Sequence, residues 1–300
     1  MMNDTAIVDF EAIRKRFPGA VESTYMNTAA RGLLMRDSRA AIDTMLDARM
    51  NEGGDKPAMF DAVEGARSDF ARLINAGAEE VAITKNVSEG LNAIIAAIEW
   101  RPGDNAVLCL DLEHPNNVYP WRHAARRFGV ELRVISAGDG VMPVDQMISA
   151  IDGNTRAVTL SSVTFAPGFR SDMAAVGRVC REHDALFLVD GVQSVGVLKT
   201  DVAAEYIDAM AVSTQKGLLG LYGMGFLYCR NDWANRLTPA YLARFGVDFG
   251  EGAHEAALGG DDWKLMPGAR RFDLGNYNFM AAAAVRPPLT LMLDIGPDQV

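Results

Sequence analysis

Basic residues are the minority charge in this 300-residue chain: 29 Lys and Arg stand against 39 Asp and Glu, a formal net charge of −10. Such a balance gives no electrostatic reason to bind nucleic acid or an anionic membrane. Cysteine is scarce too. Cys109, Cys180 and Cys229 are odd in number and widely spaced. That excludes a disulfide framework and fits buried free thiols in a reducing, cytoplasmic compartment. Four scattered histidines offer no zinc-ligand spacing. No apolar run approaches the roughly 20 residues that span a bilayer. The opening Met-Met-Asn-Asp-Thr-Ala-Ile-Val-Asp-Phe has no basic region followed by an apolar stretch, so no secretory signal is expected. What remains is an ordinary globular composition, 49% hydrophobic and 23% charged, able to bury one large core.

From about residue 80, short apolar runs alternate with amphipathic stretches. The pattern predicts strands over 81–85, 105–111, 130–136, 157–163, 185–190, 209–213 and 225–228, with helices over 87–100, 117–128, 144–151 and 173–183 between them. This alternation implies an α/β fold, a mostly parallel sheet flanked by helices. Residues 38–75 read as helical, broken at Asn51-Glu-Gly-Gly-Asp, and 244–268 read as a long loop.

In parallel sheets ligands bind beyond the carboxyl ends of the strands, so the residues that follow each strand carry the functional signal. Lys216 follows one run, in Ser-Thr-Gln-Lys-Gly, and Asp190 ends another, Ala-Leu-Phe-Leu-Val-Asp. A lysine amine can form a Schiff base with an aldehyde cofactor, and a carboxylate can keep that cofactor's pyridine nitrogen protonated. Alone, such a lysine is ordinarily a solvated surface charge. Ser88, at a helix start, is ordinarily a cap, yet the same geometry makes an anion site. His114 is placed to stack on a ring and exchange protons, Gln193 to bond a ring hydroxyl, and Ser213 and Gln215 to hold a phosphate. The coincidence of these residues at successive strand ends outweighs the bland reading of each.

These segments, with Tyr25-Met-Asn-Thr-Ala-Ala, Thr84-Lys-Asn-Val-Ser-Glu-Gly, Glu113-His-Pro-Asn-Asn-Val-Tyr-Pro-Trp, Leu188-Val-Asp-Gly-Val-Gln-Ser and Arg271-Phe-Asp-Leu-Gly-Asn, occur in family order. The chain resembles the class V aminotransferase and cysteine desulfurase group of fold-type-I enzymes that use pyridoxal 5′-phosphate. The resemblance implies that Lys216 carries the cofactor, Asp190 pairs with its pyridine nitrogen, His114 stacks on its ring and Gln193 contacts its hydroxyl. It further implies that Val87 (backbone), Ser88, Ser213 and Gln215 hold the phosphate. The segment with Asn276 is expected to reach the neighbouring subunit's site, in a homodimer with shared sites. The expected domains are a lead-in at 1–20, a cofactor-binding domain at 21–280, and at 281–300 the start of a helix leading to a small C-terminal domain that is missing or truncated.

With that domain would go the arginine that usually grips the substrate carboxylate, which makes Arg31 and Arg170 the candidates here. Phe165 stands where desulfurases carry an asparagine. The expected activity is that of an aminotransferase or a carbon–sulfur lyase acting on an amino acid or related amine. A cysteine desulfurase or epimerase of the same fold is the alternative, and a non-catalytic protein of this fold the rival from another class. A nicotinamide oxidoreductase would need a Gly-x-Gly-x-x-Gly turn, which Asn86-Val-Ser-Glu-Gly does not supply.

Overall fold

The structure is a computed structural model that describes residues 8–250, 258 and 260–300. The chain begins with two short helices, α1 (Phe10–Lys15) and α2 (Pro18–Glu22), followed by α3 (Arg36–Glu52) and α4 (Lys56–Leu73). The break between α3 and α4 falls at Gly53 and Gly54, both at positive φ, as the sequence predicts. Asp55 caps α4 by accepting from Ala58 N at 3.1 Å. Its Ala62, Val63, Ala66 and Phe70 recur at helical spacing and are buried.

The alternating region then forms β1 (Val81–Thr84), α5 (Val87–Ala97), β2 (Asn105–Leu108), α6 (Tyr119–Phe128), β3 (Glu131–Val134), α7 (Val144–Ser149), β4 (Thr155–Ser161), α8 (Met173–Glu182), β5 (Leu186–Asp190), β6 (Ala209–Ser213), β7 (Gly225–Cys229) and α9 (Asn231–Arg236). Seven strands make one sheet in the order β1-β7-β6-β5-β4-β2-β3. The five strands from β6 to β3 pair in parallel. β7 runs antiparallel to both of its neighbours, β1 and β6. β1, β2, β5, β6 and β7 are buried along their whole length, as their uninterrupted apolar runs require when helices cover both faces.

One core lies between the sheet and α4, α7, α8 and α10 (Phe279–Ile295). Phe70 of α4 stacks on Phe226 of β7 there, with ring centroids 4.2 Å apart. The other core lies under α5, α6 and α9, around Leu91, Ile94, Trp121 and Trp233. α10 packs against α3 and α4.

Two expectations need correction. The strand predicted over 105–111 stops at Leu108, because Asp111 turns away to accept from Ser136 Oγ at 2.8 Å and Ala137 N at 3.0 Å. The loop predicted over 244–268 contains a small hairpin, β8 (Val247–Asp248) against β9 (Lys264–Leu265). Part of that loop (251–257 and 259), and 1–7 of the lead-in, lie outside the described residues.

Candidate active site

The carboxyl ends of β4, β5 and β6 and the amino end of α5 open onto one cavity of about 420 Å³. Its lining includes Val87, Ser88, His114, Phe165, Asp190, Gln193, Ser213, Gln215 and Lys216. Nine sequence-predicted residues, spread over 130 positions of chain, are thus brought together by the ordering of the strands.

Lys216 sits in the turn between β6 and β7. Thr214 pins both ends of that turn. Its N–H donates to Met224 O at 3.1 Å, its O–H donates to Leu221 O at 2.5 Å, and its own carbonyl accepts from Gly220 N at 2.8 Å. The N-terminal segment braces the same turn: Gly32 N donates to Gln215 O at 2.8 Å. A Cβ at Gly32 would lie 2.4 Å from the Lys216 carbonyl, so only glycine permits this approach. The Lys216 amine makes no hydrogen bond or ion pair among the described residues. Burial lowers its proton affinity, against the opposing pull of Asp190.

Asp190 is 3% exposed at the end of β5. Its carboxylate accepts one backbone bond, from Val192 N at 3.0 Å. Burial first, and then the charge of Glu113, push its carboxyl up to about 7; Val192 N–H and Lys216 act in the other direction. A buried carboxyl with one donor and an open cavity before it is suited to a ligand N–H.

His114 lies beyond β2. Its Nδ1 accepts from Asn116 N at 3.1 Å, which leaves Nε2 to carry the proton of the neutral ring. Burial and then the Lys216 charge keep its proton affinity low. The Phe165 ring meets the imidazole edge-on, 4.8 Å between centroids. At the opposite wall Asn86 caps α5, accepting from Glu89 N at 3.0 Å. Val87 N donates to Ser213 Oγ at 2.8 Å. Val87 and Ser213 therefore bond each other, and the Ser213 O–H stays free to donate into the cavity. Ser88 adds its hydroxyl at the positive end of the helix.

Three predicted residues stand elsewhere. Arg31 is exposed beside the turn that carries Lys216, and it does not line the cavity. Arg170 lines a separate cavity with Lys199 and Glu205. Asn276 is exposed, in a left-handed conformation at φ 46°, and also lies outside the lining. Gln193 lines this cavity and a neighbouring apolar one. Sequence reading missed Tyr222 and Ser161 of the lining, and Glu113 behind it. Only Glu113 left a signal, as a charge at the exit of an apolar strand, next to His114.

A model of the family described as aminotransferase class-V matches residues 54–292. A probable cysteine desulfurase of Methanothermobacter thermautotrophicus is 33% identical over 235 residues, 78% of this chain and 56% of that protein. The chain thus spans little more than half the length of that relative. An uncharacterized aminotransferase of Bacillus subtilis is 28% identical over 97% of this chain and 75% of its own length. Among solved structures, the cystine C–S lyase C-DES in complex with its product cysteine persulfide matches with a TM-score of 0.81 and 26% identity, over 93% of this chain and 74% of that one. A mutant of C-DES with glycine covalently linked to its pyridoxal phosphate cofactor matches with a TM-score of 0.84 and 25% identity, over 94% of this chain and 74% of that one.

Proposed function

The chain belongs to the class-V aminotransferase family, and on that premise we propose that it is a pyridoxal phosphate-dependent enzyme acting on an amino acid or related amine, as an aminotransferase or a carbon–sulfur lyase. The observation that carries this is the convergence of Lys216, Asp190 and His114 on one cavity. The residues fit the cofactor. A buried, singly bonded carboxyl, an unpaired amine and a helix N-terminus flanked by Ser88 and Ser213 line a space of about 420 Å³, of the size that holds small cofactors. When bound, pyridoxal phosphate supplies a carbonyl carbon that condenses with amines and a ring that withdraws electrons.

The chain's own groups do the rest. Asp190 holds a proton on the ring nitrogen. His114 covers one ring face as a neutral imidazole. Ser88, Ser213 and Gln215, with the Val87 end of α5, bind the phosphate, and Gln193 meets the ring hydroxyl. Lys216, its amine partly desolvated, would hold the cofactor and would move a proton at the substrate carbon. We take Asn276 to act across a homodimer interface, and Arg31 rather than Arg170 to meet a substrate carboxylate. Residues 21–280 would form the cofactor-binding unit, and α10 would lead out of it.

None of the three cysteines present is placed to serve as a sulfur-accepting nucleophile. Cys109, Cys180 and Cys229 are all free and buried, and burial raises each thiol, so a persulfide-forming thiolate is disfavoured. Free buried thiols also suit a cytoplasmic setting. No helix among the described residues is long and apolar enough to cross a membrane.

Borohydride reduction of the protein incubated with pyridoxal phosphate, followed by peptide mapping, tests the reading. The label is expected on Lys216 and absent from Lys216→Ala. A label on Lys85, which lines the same cavity, would end the assignment.

A further inference from the structure

A second carboxyl lies behind Asp190. Glu113 is 7% exposed and pairs with no cation among the described residues. Three donors converge on it: Ser161 N on Oε1 at 2.6 Å, Ser161 Oγ on Oε2 at 2.6 Å, and Asn117 Nδ2 on Oε2 at 2.9 Å. Asn117 is fixed in its turn, because its Oδ1 accepts from Trp121 Nε1 at 3.2 Å and cannot trade places with Nδ2. Ser161 is the last residue of β4 and is paired in register with Asp190 on β5. Glu113 therefore ties the loop that carries His114 to the strand end beside Asp190.

We propose that Glu113 is a positioning residue of this site, clamping the His114 loop to the end of β4 and setting a second negative charge behind Asp190. This rests on the cofactor reading for its purpose, though not for its geometry. The charged groups that face Asp190 are Glu113 and Lys216, with His114 on the far wall of the cavity. Two acids then share one lysine. Burial raises the proton affinity of Glu113, and its bonds from Ser161 and Asn117 oppose that rise. In the carboxylate form that those donors favour, its charge raises the affinity of Asp190 for a proton, and so favours a proton held between Asp190 and a ring nitrogen.

The test is Glu113→Gln. The amide keeps the shape, removes the charge, and turns an N–H₂ group toward Asn117 Nδ2. In the cofactor-free protein, ¹³C titration of the Asp190 carboxyl, assigned with Asp190→Asn, should move to lower pH by roughly half a unit or more. In the loaded protein, the visible band should titrate at lower pH, and cofactor affinity should fall roughly tenfold, the size of one lost buried hydrogen bond. Glu113→Gln combined with Asn117→Asp restores a complementary donor and acceptor pair with the charge moved by one side chain. It should recover affinity and fold even where the single variant is poorly folded. An unmoved Asp190 midpoint in both variants overturns the proposal, because a purely structural Glu113 would alter stability alone. A wild-type protein that takes up no pyridoxal phosphate, with the Asp190 midpoint still moving in the variant, would sink the cofactor reading and leave this coupling standing.

Discussion

Two buried acidic centres sit in this sheet, and they are built in opposite ways. At β1, Asp273 is 1% exposed and fully partnered: Arg67 Nη2 at 2.8 Å, Ile83 N at 2.8 Å and Tyr277 O–H at 3.1 Å. Arg67, at 0% exposure, also donates to Val81 O at 2.5 Å and pairs with Glu64, which Arg270 shares at 2.7 Å. Cations match the acids there. At β5, Asp190 and Glu113 are as deeply buried, with no arginine near and one partly desolvated lysine across a cavity. The first arrangement fixes the 268–273 turn to the sheet edge. The second ties the His114 loop to the end of β4 through Glu113 and leaves proton affinities displaced, which is what acid–base chemistry needs.

Removing a partner from each centre separates the two roles. The largest effect is expected from Arg67→Ala, which strands Asp273 without its cation: about 3–5 kcal/mol of stability should be lost. Denaturant unfolding measures it, and a loss below about 1 kcal/mol, the worth of a surface pair, would erase the contrast. Asp190→Asn should do the reverse. Turnover should fall roughly 10²-fold or more as the ring-nitrogen proton loses its carboxylate, while cofactor-free stability above neutral pH holds or rises.

The sign follows from the direction of the shift. The Asp190 carboxyl is raised from 3.8 to about 7, so the folded protein binds the proton more tightly than the unfolded chain does. Its contribution to stability is present below pH 3.8 and is lost progressively as pH rises to about 7. Asp190→Asn should remove that slope in pH-dependent melting, and a slope retained in the variant would assign it to another group. The smallest functional effect is expected from replacing Cys109, Cys180 and Cys229 together by Ala. Activity should stay within about twofold, whereas stability drops by roughly 1 kcal/mol per site through lost packing. Activity lost with a persulfide on one of them would restore the desulfurase alternative.

The two centres also differ in how much of them can be read from the chain. Asp190 ends a short apolar run and Lys216 and His114 follow others, and a parallel sheet gathers strand ends, so local pattern sufficed to bring them together. The Arg67–Asp273 pair joins residues 206 apart, and nothing near either one marks the other. The Val87–Ser213 bond spans 126 positions and was likewise out of reach. Alternation of strand and helix also says nothing about strand direction where no helix intervenes, which is why the reversed β7 left no trace. Arg170 lies nine residues beyond the end of β4, and its loop carries it to another cavity. Closeness to a strand end does not by itself decide which wall a side chain joins.

That reversal of β7 has a consequence for the lysine. Ser213 and Gly225 are partners across β6 and β7, so residues 214–224 form a loop whose two ends already touch. Closing so short a loop leaves little backbone freedom to lose. A parallel crossover would instead have sent the chain away to the far side of the sheet and back. The wandering of the Lys216 nitrogen is then confined to the torsions of its own side chain, and the turn behaves as a stiff bracket for a supple arm.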